Sequence, residues 1–291
     1  MSPLNSYVSP FYEQELPAEP LWNVDGFEIV RCTKSGLVYL ANPPSDEELE
    51  KFYSVEYFEG DEARKGYASY ESDEQILRRN FRILLRHVTD SSPSRGALVD
   101  VGCAYGYFLD EATAHFEQVK GIELNEDVAQ LGRSRFGLEI TTHPDQALTA
   151  ESTDVITLWD VIEHLKHPRS TLEQCAQALR PGGSLFLTTG DISSPLAVGL
   201  GKRWRLINPP QHLTYFSIDT MTRLLSEIGL QVRQVTRRCG KHVSFGFGFF
   251  ILQYLLDRKG RRVRRHPPLW MTRRSVYVNL FDTMLVTATK V

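Results

Sequence analysis

The chain has 291 residues, 42% of them hydrophobic, with 33 Lys and Arg against 36 Asp and Glu and a formal charge of -3. Those figures exclude a disordered, collagenous or uniformly basic chain, and the length suits one large domain or a domain with an appendage. The charge is unevenly spread: residues 199–274 hold 16 Lys and Arg and three acids (Asp219, Glu227, Asp257), a local +13 that leaves -16 elsewhere. Such a division predicts an anionic partner for the basic part, or else a solvated face. Cys32, Cys103, Cys175 and Cys239 lie far apart with no CxxC pair, which predicts reduced thiols in a cytosol rather than a disulfide framework or zinc module. The first residues lack the charged and apolar stretches of a secretory signal.

Residues 1–74 form an acidic N-terminal extension with scattered Pro and aromatic residues. It predicts two short strands, Phe27–Arg31 and Gly36–Leu40, then a helix entered at Ser45 with Asp46, Glu47 and Glu48 in its first turn, where acids suit the helix dipole. The extension is too small for a core of its own and is expected to pack on the rest of the chain. Residues 75–291 form the main domain. Leu77, Phe81, Leu84, Leu85 and Val88 mark one face of a helix, which Ser91 to Gly96 ends. Strands then alternate with helices: strand Ala97–Val101, helix from Tyr105, strand Val119–Glu123, helix from Asn125, and a short strand near Leu138–Thr141. The series continues with strand Asp154–Trp159, helix Pro168–Leu179, strand Ser184–Thr189, helix Ser217–Ile228 and strand Leu230–Val235. Alternation at this spacing predicts an α/β fold with a parallel sheet covered on both faces, and the last strand, Val276–Thr289, comes after a basic, aromatic insertion at about 240–275.

The stretch from Leu98 to Phe108 places Gly102 and Gly106 in the turn after the first strand of the sheet, where a ligand meets the backbone. Glu123 ends the second strand 21 residues after Gly102, placed to accept hydrogen bonds from both hydroxyls of a ribose. The turn reads Gly-Cys-Ala-Tyr-Gly instead of G-x-G-x-x-G, and Asp100 stands at the strand end. A carboxylate there repels a pyrophosphate but suits the ammonium and sulfonium of S-adenosylmethionine (SAM), as does Asp160 at the end of the fourth strand. Electrostatics favours SAM over NAD.

These pieces, with Gly121-Ile-Glu123, Asp154 to His164, Leu179-Arg-Pro-Gly-Gly183 and Pro210-Gln-His-Leu-Thr-Tyr-Phe-Ser217, occur across roughly residues 75–240. In that order they resemble class I SAM-dependent methyltransferases, in the branch similar to ubiquinone-biosynthesis and polysaccharide-tailoring enzymes. The resemblance implies a Rossmann-like seven-stranded sheet, mostly parallel, whose last strand runs antiparallel, a role for Val276–Thr289. It implies cofactor contacts from Asp100, Gly102, Cys103, Ala104, Tyr105, Gly106, Glu123, Leu124, Asp145, Trp159 and Asp160; Ala104 replaces the commoner glycine. Many relatives carry a zinc ribbon near the N-terminus, and Arg31-Cys-Thr-Lys-Ser-Gly-Leu-Val-Tyr39 resembles half of one with Ser35 in place of a cysteine. Cys32 alone cannot build a tetrahedral site, so no zinc is expected in the extension.

On the side where family members bind the acceptor, His212 is a candidate base, or else a histidine that orders a Pro-rich loop. Asp160, Glu163 and His164 at i, i+3 and i+4 would share a helical face. The ubiquinone O-methyltransferase relatives carry a similar acid-x-x-Glu-His set that implies a divalent metal, with His164 also a catalytic candidate. The alternative is that Asp160 caps the helix or faces SAM while the other two make structural hydrogen bonds. Tyr67 and Tyr70 precede the first core helix as closing or packing aromatics.

Phe245–Leu256 is an apolar run of 12 residues, too short to span a bilayer, and Arg258–Arg265 comes next with six cations in eight residues. The pair reads either as an anionic membrane surface element, making the protein cytoplasmic and peripheral on the inner membrane face, or as a buried helix with an exposed loop. Nucleic acid is disfavoured, since no aromatics interleave the bases. Arg203, Trp204, Arg205 and Trp270 are candidates to line a pocket for a phosphorylated or lipid-linked acceptor. The expected activity is methyl transfer to a small molecule, at a hydroxyl of a glycan, quinol-like or lipid-linked precursor. The alternatives are C- or N-methylation, or a non-catalytic SAM-binding module at a membrane.

Overall fold

The structure, a computed structural model, describes residues 5–52, 74–245 and 274–291. The apolar and polybasic segment beyond Phe245, with Tyr67, Tyr70 and Trp270, lies outside the described residues. The N-terminal part holds β1 (Asn5–Val8), β2 (Glu15–Val24), β3 (Phe27–Cys32), β4 (Val38–Leu40) and α1 (Asp46–Phe52). The main domain opens with α2 (Glu74–Ser91), β5 (Ala97–Val101), α3 (Tyr107–Ala112), β6 (Gln118–Ile122), α4 (Glu126–Phe136), β7 (Glu139–Thr141) and α5 (Pro144–Ala147). It continues through β8 (Thr153–Trp159), α6 (Pro168–Ala178), β9 (Leu179–Gly190), α7 (Pro195–Leu200), β10 (Thr214–Tyr215), α8 (Ile218–Glu227) and β11 (Leu230–Thr236). Last come β12 (Lys241–Ser244), β13 (Ser275–Val278) and β14 (Thr283–Lys290).

Seven strands form the central sheet in the order β7-β6-β5-β8-β9-β14-β11. Strand β14 runs antiparallel to both neighbours, and the other pairings are parallel. Strands β5 and β8, and β9 from Gly183 to Thr189, are almost wholly buried, as expected where helices cover both faces of a parallel sheet. Chain order reverses between β5 and β8, so their carboxyl ends flank a crevice.

Three local expectations need correction. The segment Val276–Thr289 is not one strand: Phe281 adopts φ 55° and Asp282 is buried, so the chain breaks there. Strand β13 pairs with β12 in a separate ribbon, and β14 alone joins the central sheet. The helix expected from Tyr105 begins at Tyr107, because Gly106 is left-handed at φ 76° and caps it. The extension contributes four strands, not two, and β10 of the main domain joins β4 to complete a five-stranded antiparallel sheet. As expected, the extension shares the core of the main domain: Phe11, Leu16, Val30 and Tyr39 are buried in one cluster with Val99, Phe216 and Met284.

Candidate functional site

A cleft of about 2210 Å³ opens at the carboxyl ends of the central strands, and Gly102, Ala104, Glu123, Leu124, Trp159 and Asp160 line one part of it. The turn after β5 is fixed by backbone: the N–H groups of Gly102 and Cys103 both donate to the Ile122 carbonyl at 2.8 and 3.0 Å. Gly102 has φ 73°, and a Cβ there would lie 2.6 Å from Val161 Cγ2. The residue must therefore be glycine on two counts. Ala104 is also left-handed, at φ 47°, which costs a non-glycine residue roughly 1–2 kcal/mol. Its N–H donates to Glu123 Oε2 at 3.0 Å, while Oε1 accepts the Asn125 N–H at 3.0 Å. Glu123 is thus locked between the turn and α4, and a carboxylate with about four acceptor sites keeps room for a ribose hydroxyl beside these N–H groups. Burial raises its pKa, partly offset by those backbone N–H groups.

Asp100 lies beneath the turn, where its Oδ1 accepts the Thr157 hydroxyl at 2.6 Å. Burial, with a smaller push from the Glu123 charge, raises its carboxyl to about 8. Leu124, 69% exposed, presents an apolar surface of the kind against which an adenine ring lies. Cys103 and Tyr105 turn into the core instead, Cys103 among Leu98, Phe108 and Leu109 and Tyr105 among Leu77, Tyr107 and Val128. Asp145 is exposed in the first turn of α5, and Pro144 and Leu148 line the cleft at this edge in its place.

A cluster of titratable side chains lies just beyond β8. Asp160 sits at φ 55°, and residues Ile162–His164 form a single 3₁₀ turn. The expected helical face shared by Asp160, Glu163 and His164 is therefore not built. Asp160 Oδ1 accepts the Thr188 hydroxyl at 2.9 Å, and Oδ2 is ion-paired with Lys241. Burial alone would raise this carboxyl, but the Lys241 ammonium overcomes it and holds the pKa below the ordinary carboxylate value. The metal-capable side chains that do gather among the described residues are Glu163, His164 and His212, whose donor atoms lie within 4.8 Å of one another. Glu163 Oε2 accepts the Thr189 hydroxyl at 2.9 Å; burial first and the Asp160 charge second push its pKa up to about 8.

His164 Nδ1 lies 2.9 Å from the Gln211 carbonyl, and His212 Nδ1 lies 2.9 Å from the Leu206 carbonyl. A carbonyl only accepts, so both rings carry their proton on Nδ1 and a lone pair on Nε2. Their centroids are 4.7 Å apart, edge to face. Burial lowers both pKa values, that of His212 to about 3 with a further push from His164, so both imidazoles are neutral near pH 7.

Trp204 is a core residue whose Nε1 donates to the buried Asp282 at 2.9 Å, with Arg205 3.1 Å from the same carboxylate. Lys202, Arg203 and Arg205 line the cleft. Sequence reasoning missed Lys241, Thr188 and Thr189. Only the local excess of cations pointed toward Lys241, and no motif pointed to the two threonines.

The methyltransferase domain family matches residues 70–235, more than half of the chain, and the chain belongs to that family. It is a class I SAM-dependent methyltransferase by fold and family. Among named relatives, the ubiquinone biosynthesis O-methyltransferase of Azoarcus sp. (strain BH72) is 33% identical over 106 residues, covering 32% of this chain and 43% of the relative. That of Nitrosococcus oceani is 36% identical over 100 residues, covering 32% and 42%. The match thus spans less than half the length of these relatives. In fold, the chain is similar to the magnesium protoporphyrin IX methyltransferase of Synechocystis PCC 6803, solved with bound S-adenosylhomocysteine, at TM-score 0.54 and 11% identity, covering 85% of this chain and 100% of that one. A SAM-dependent methyltransferase from Archaeoglobus fulgidus gives TM-score 0.51 at 14% identity, covering 75% and 97%. Among the described residues, no helix is long and apolar enough to cross a membrane.

Proposed function

We propose that the chain moves the SAM methyl group to a hydroxyl of a small-molecule acceptor, a glycan, quinol-like or lipid-linked precursor, with His212 as the base. The observation that carries this reading is the state of His212. It stands half-buried at the lining of the cleft, with Nδ1–H tied to Leu206 and the Nε2 lone pair left to take a proton. A hydroxyl must lose its proton as the methyl arrives, whereas a soft carbon or amine nucleophile needs no such partner at the same stage. The ubiquinone O-methyltransferase relatives support a hydroxyl acceptor.

In this reading Glu123 holds the ribose, and Asp100 answers the positive charge of SAM. Departure of the methyl from sulfur then needs in-line positioning more than further chemistry. His164 packs edge-on against His212 and fixes its ring. The divalent metal implied by the sequence resemblance does not fit the Asp160, Glu163 and His164 set, because Lys241 occupies the Asp160 carboxylate. Proton removal therefore rests on His212.

The test is S-adenosylhomocysteine release from SAM with phenolic, sugar and lipid-linked hydroxyl acceptors. His212→Asn is expected to lower kcat by roughly 10²–10⁴-fold on the acceptor found, with SAM affinity unchanged. Turnover restricted to carbon or amine acceptors, or indifferent to His212, contradicts the reading.

A further inference from the structure

We infer that Lys241 is the resident cation of the cluster beyond β8, its ammonium holding the place that a divalent metal would need on the Asp160 carboxylate. Both oxygens of Asp160 are engaged, Oδ1 by the Thr188 hydroxyl and Oδ2 by Lys241 Nζ. A metal could use this carboxylate only by expelling the ammonium, since two cations sharing one carboxylate repel each other. The backbone points the same way. With Asp160 left-handed and a 3₁₀ turn after it, the acid-x-x-Glu-His spacing does not stack its three side chains on one α-helical face. Glu163, His164 and His212 do come together, but without the Asp160 carboxylate, which Lys241 holds.

Lys241 is held in place by its surroundings. It opens β12, opposite Val278 of β13. The next residue, His242, exchanges two hydrogen bonds with the Asn80 side chain of α2, its N–H donating at 2.6 Å and its carbonyl accepting at 2.9 Å. Just before it, Cys239 Sγ contacts the Thr283 carbonyl at 3.2 Å. Strand β12 is thus fixed against α2 and β14, and the ammonium is delivered to Asp160 across 81 residues of sequence.

What the ammonium does rests on the O-methylation reading. A Lys ammonium carries three donors and no acceptor, so one tethered to Asp160 stabilises negative charge growing on an acceptor oxygen in the same cleft. The acceptor proton passes to His212 Nε2, the oxygen forms its bond to the methyl carbon, and the carbon–sulfur bond breaks to leave a neutral thioether. The imidazolium then returns its proton to solvent. Exclusion of a metal from the Asp160 carboxylate stands without that reading.

The test is titration of the full chain with Mn²⁺, following free Mn²⁺ by electron paramagnetic resonance, with zinc content measured on the same purified samples. Wild type and Lys241→Arg are expected to bind no stoichiometric metal. Lys241→Met and Lys241→Gln open the carboxylate and gain one site per chain, at least tenfold tighter than any binding by wild type. Adding Asp160→Asn to Lys241→Met abolishes the gain. About a third of the Lys241 side chain is exposed, so these variants are expected to fold, with the thermal unfolding midpoint as the check. One Mn²⁺ or Zn²⁺ on wild type, or no gain in either neutral variant, overturns the inference. Failure of the methyltransferase reading would instead show as absent SAM binding, which the metal titration does not need.

Discussion

Asp100 is a carboxyl buried with one hydroxyl partner, and burial raises it to about 8. It is mostly protonated at pH 7, yet only the carboxylate attracts a cationic ligand. Binding of SAM must therefore expel the proton, and affinity rises with pH by up to about tenfold per unit until about pH 8, then levels off. Calorimetry at pH 7 in buffers of different ionisation enthalpy should show release of most of one proton per SAM bound, lost in Asp100→Asn. Equal heats in all buffers would remove Asp100 from the cofactor site. The residues legible in the sequence were those whose partners lie close along the chain. Gly102 and Glu123 were read from a turn and a fixed spacing, and the structure locks them together through Ala104. Lys241 was not legible because its partner lies 81 residues away and no local pattern marks an ion pair of that span.

The segment from Gln211 to Tyr215 joins the site to the N-terminal sheet. The Gln211 carbonyl faces His164, His212 contributes its ring, and the Leu213 N–H donates to the Glu163 carbonyl while its own carbonyl accepts the Leu40 N–H. Strand β10 then pairs with β4, Thr214 opposite Tyr39. The extension also buries Phe11, Leu16, Val30, Leu37 and Tyr39. At about 1.5–3 kcal/mol for each large side chain, their loss rivals the whole stability of an ordinary domain, about 5–15 kcal/mol. Removal of residues 1–44 is therefore expected to give an aggregating chain without a cooperative thermal transition. A soluble, monomeric truncation that still binds S-adenosylhomocysteine would show the extension to be dispensable. Strand β2 escaped sequence reading because Pro17 and Pro20 argue against a strand; the structure takes Pro17 opposite Ser6 of β1 and meets Pro20 with a register shift before Trp22. The break between β13 and β14 was hidden because Asn279 to Asp282 interrupts a run otherwise rich in β-formers.

Across the whole molecule, the two opposed charge fields read from the sequence acquire internal structure. Part of the basic window neutralises acids, the buried Asp191 with Arg237 and Asp282 with Arg205, and the half-buried Asp160 with Lys241. Lys202, Arg203 and Arg238 face the cleft and make that part of it cationic, while Glu123 lines it beside the turn after β5. Alternation of strands and helices made the central sheet legible, because each βαβ unit is specified by contiguous residues. Closure by β14 and the borrowed β10 depends on pairings distant in sequence. The cleft is predicted to hold SAM through Glu123. Titration calorimetry with SAM measures it directly: one site per chain is predicted, weakened by roughly 10–100-fold in Glu123→Ala as charged hydrogen bonds to the ribose are lost. No binding by wild type, or unchanged affinity in the variant, would contradict it.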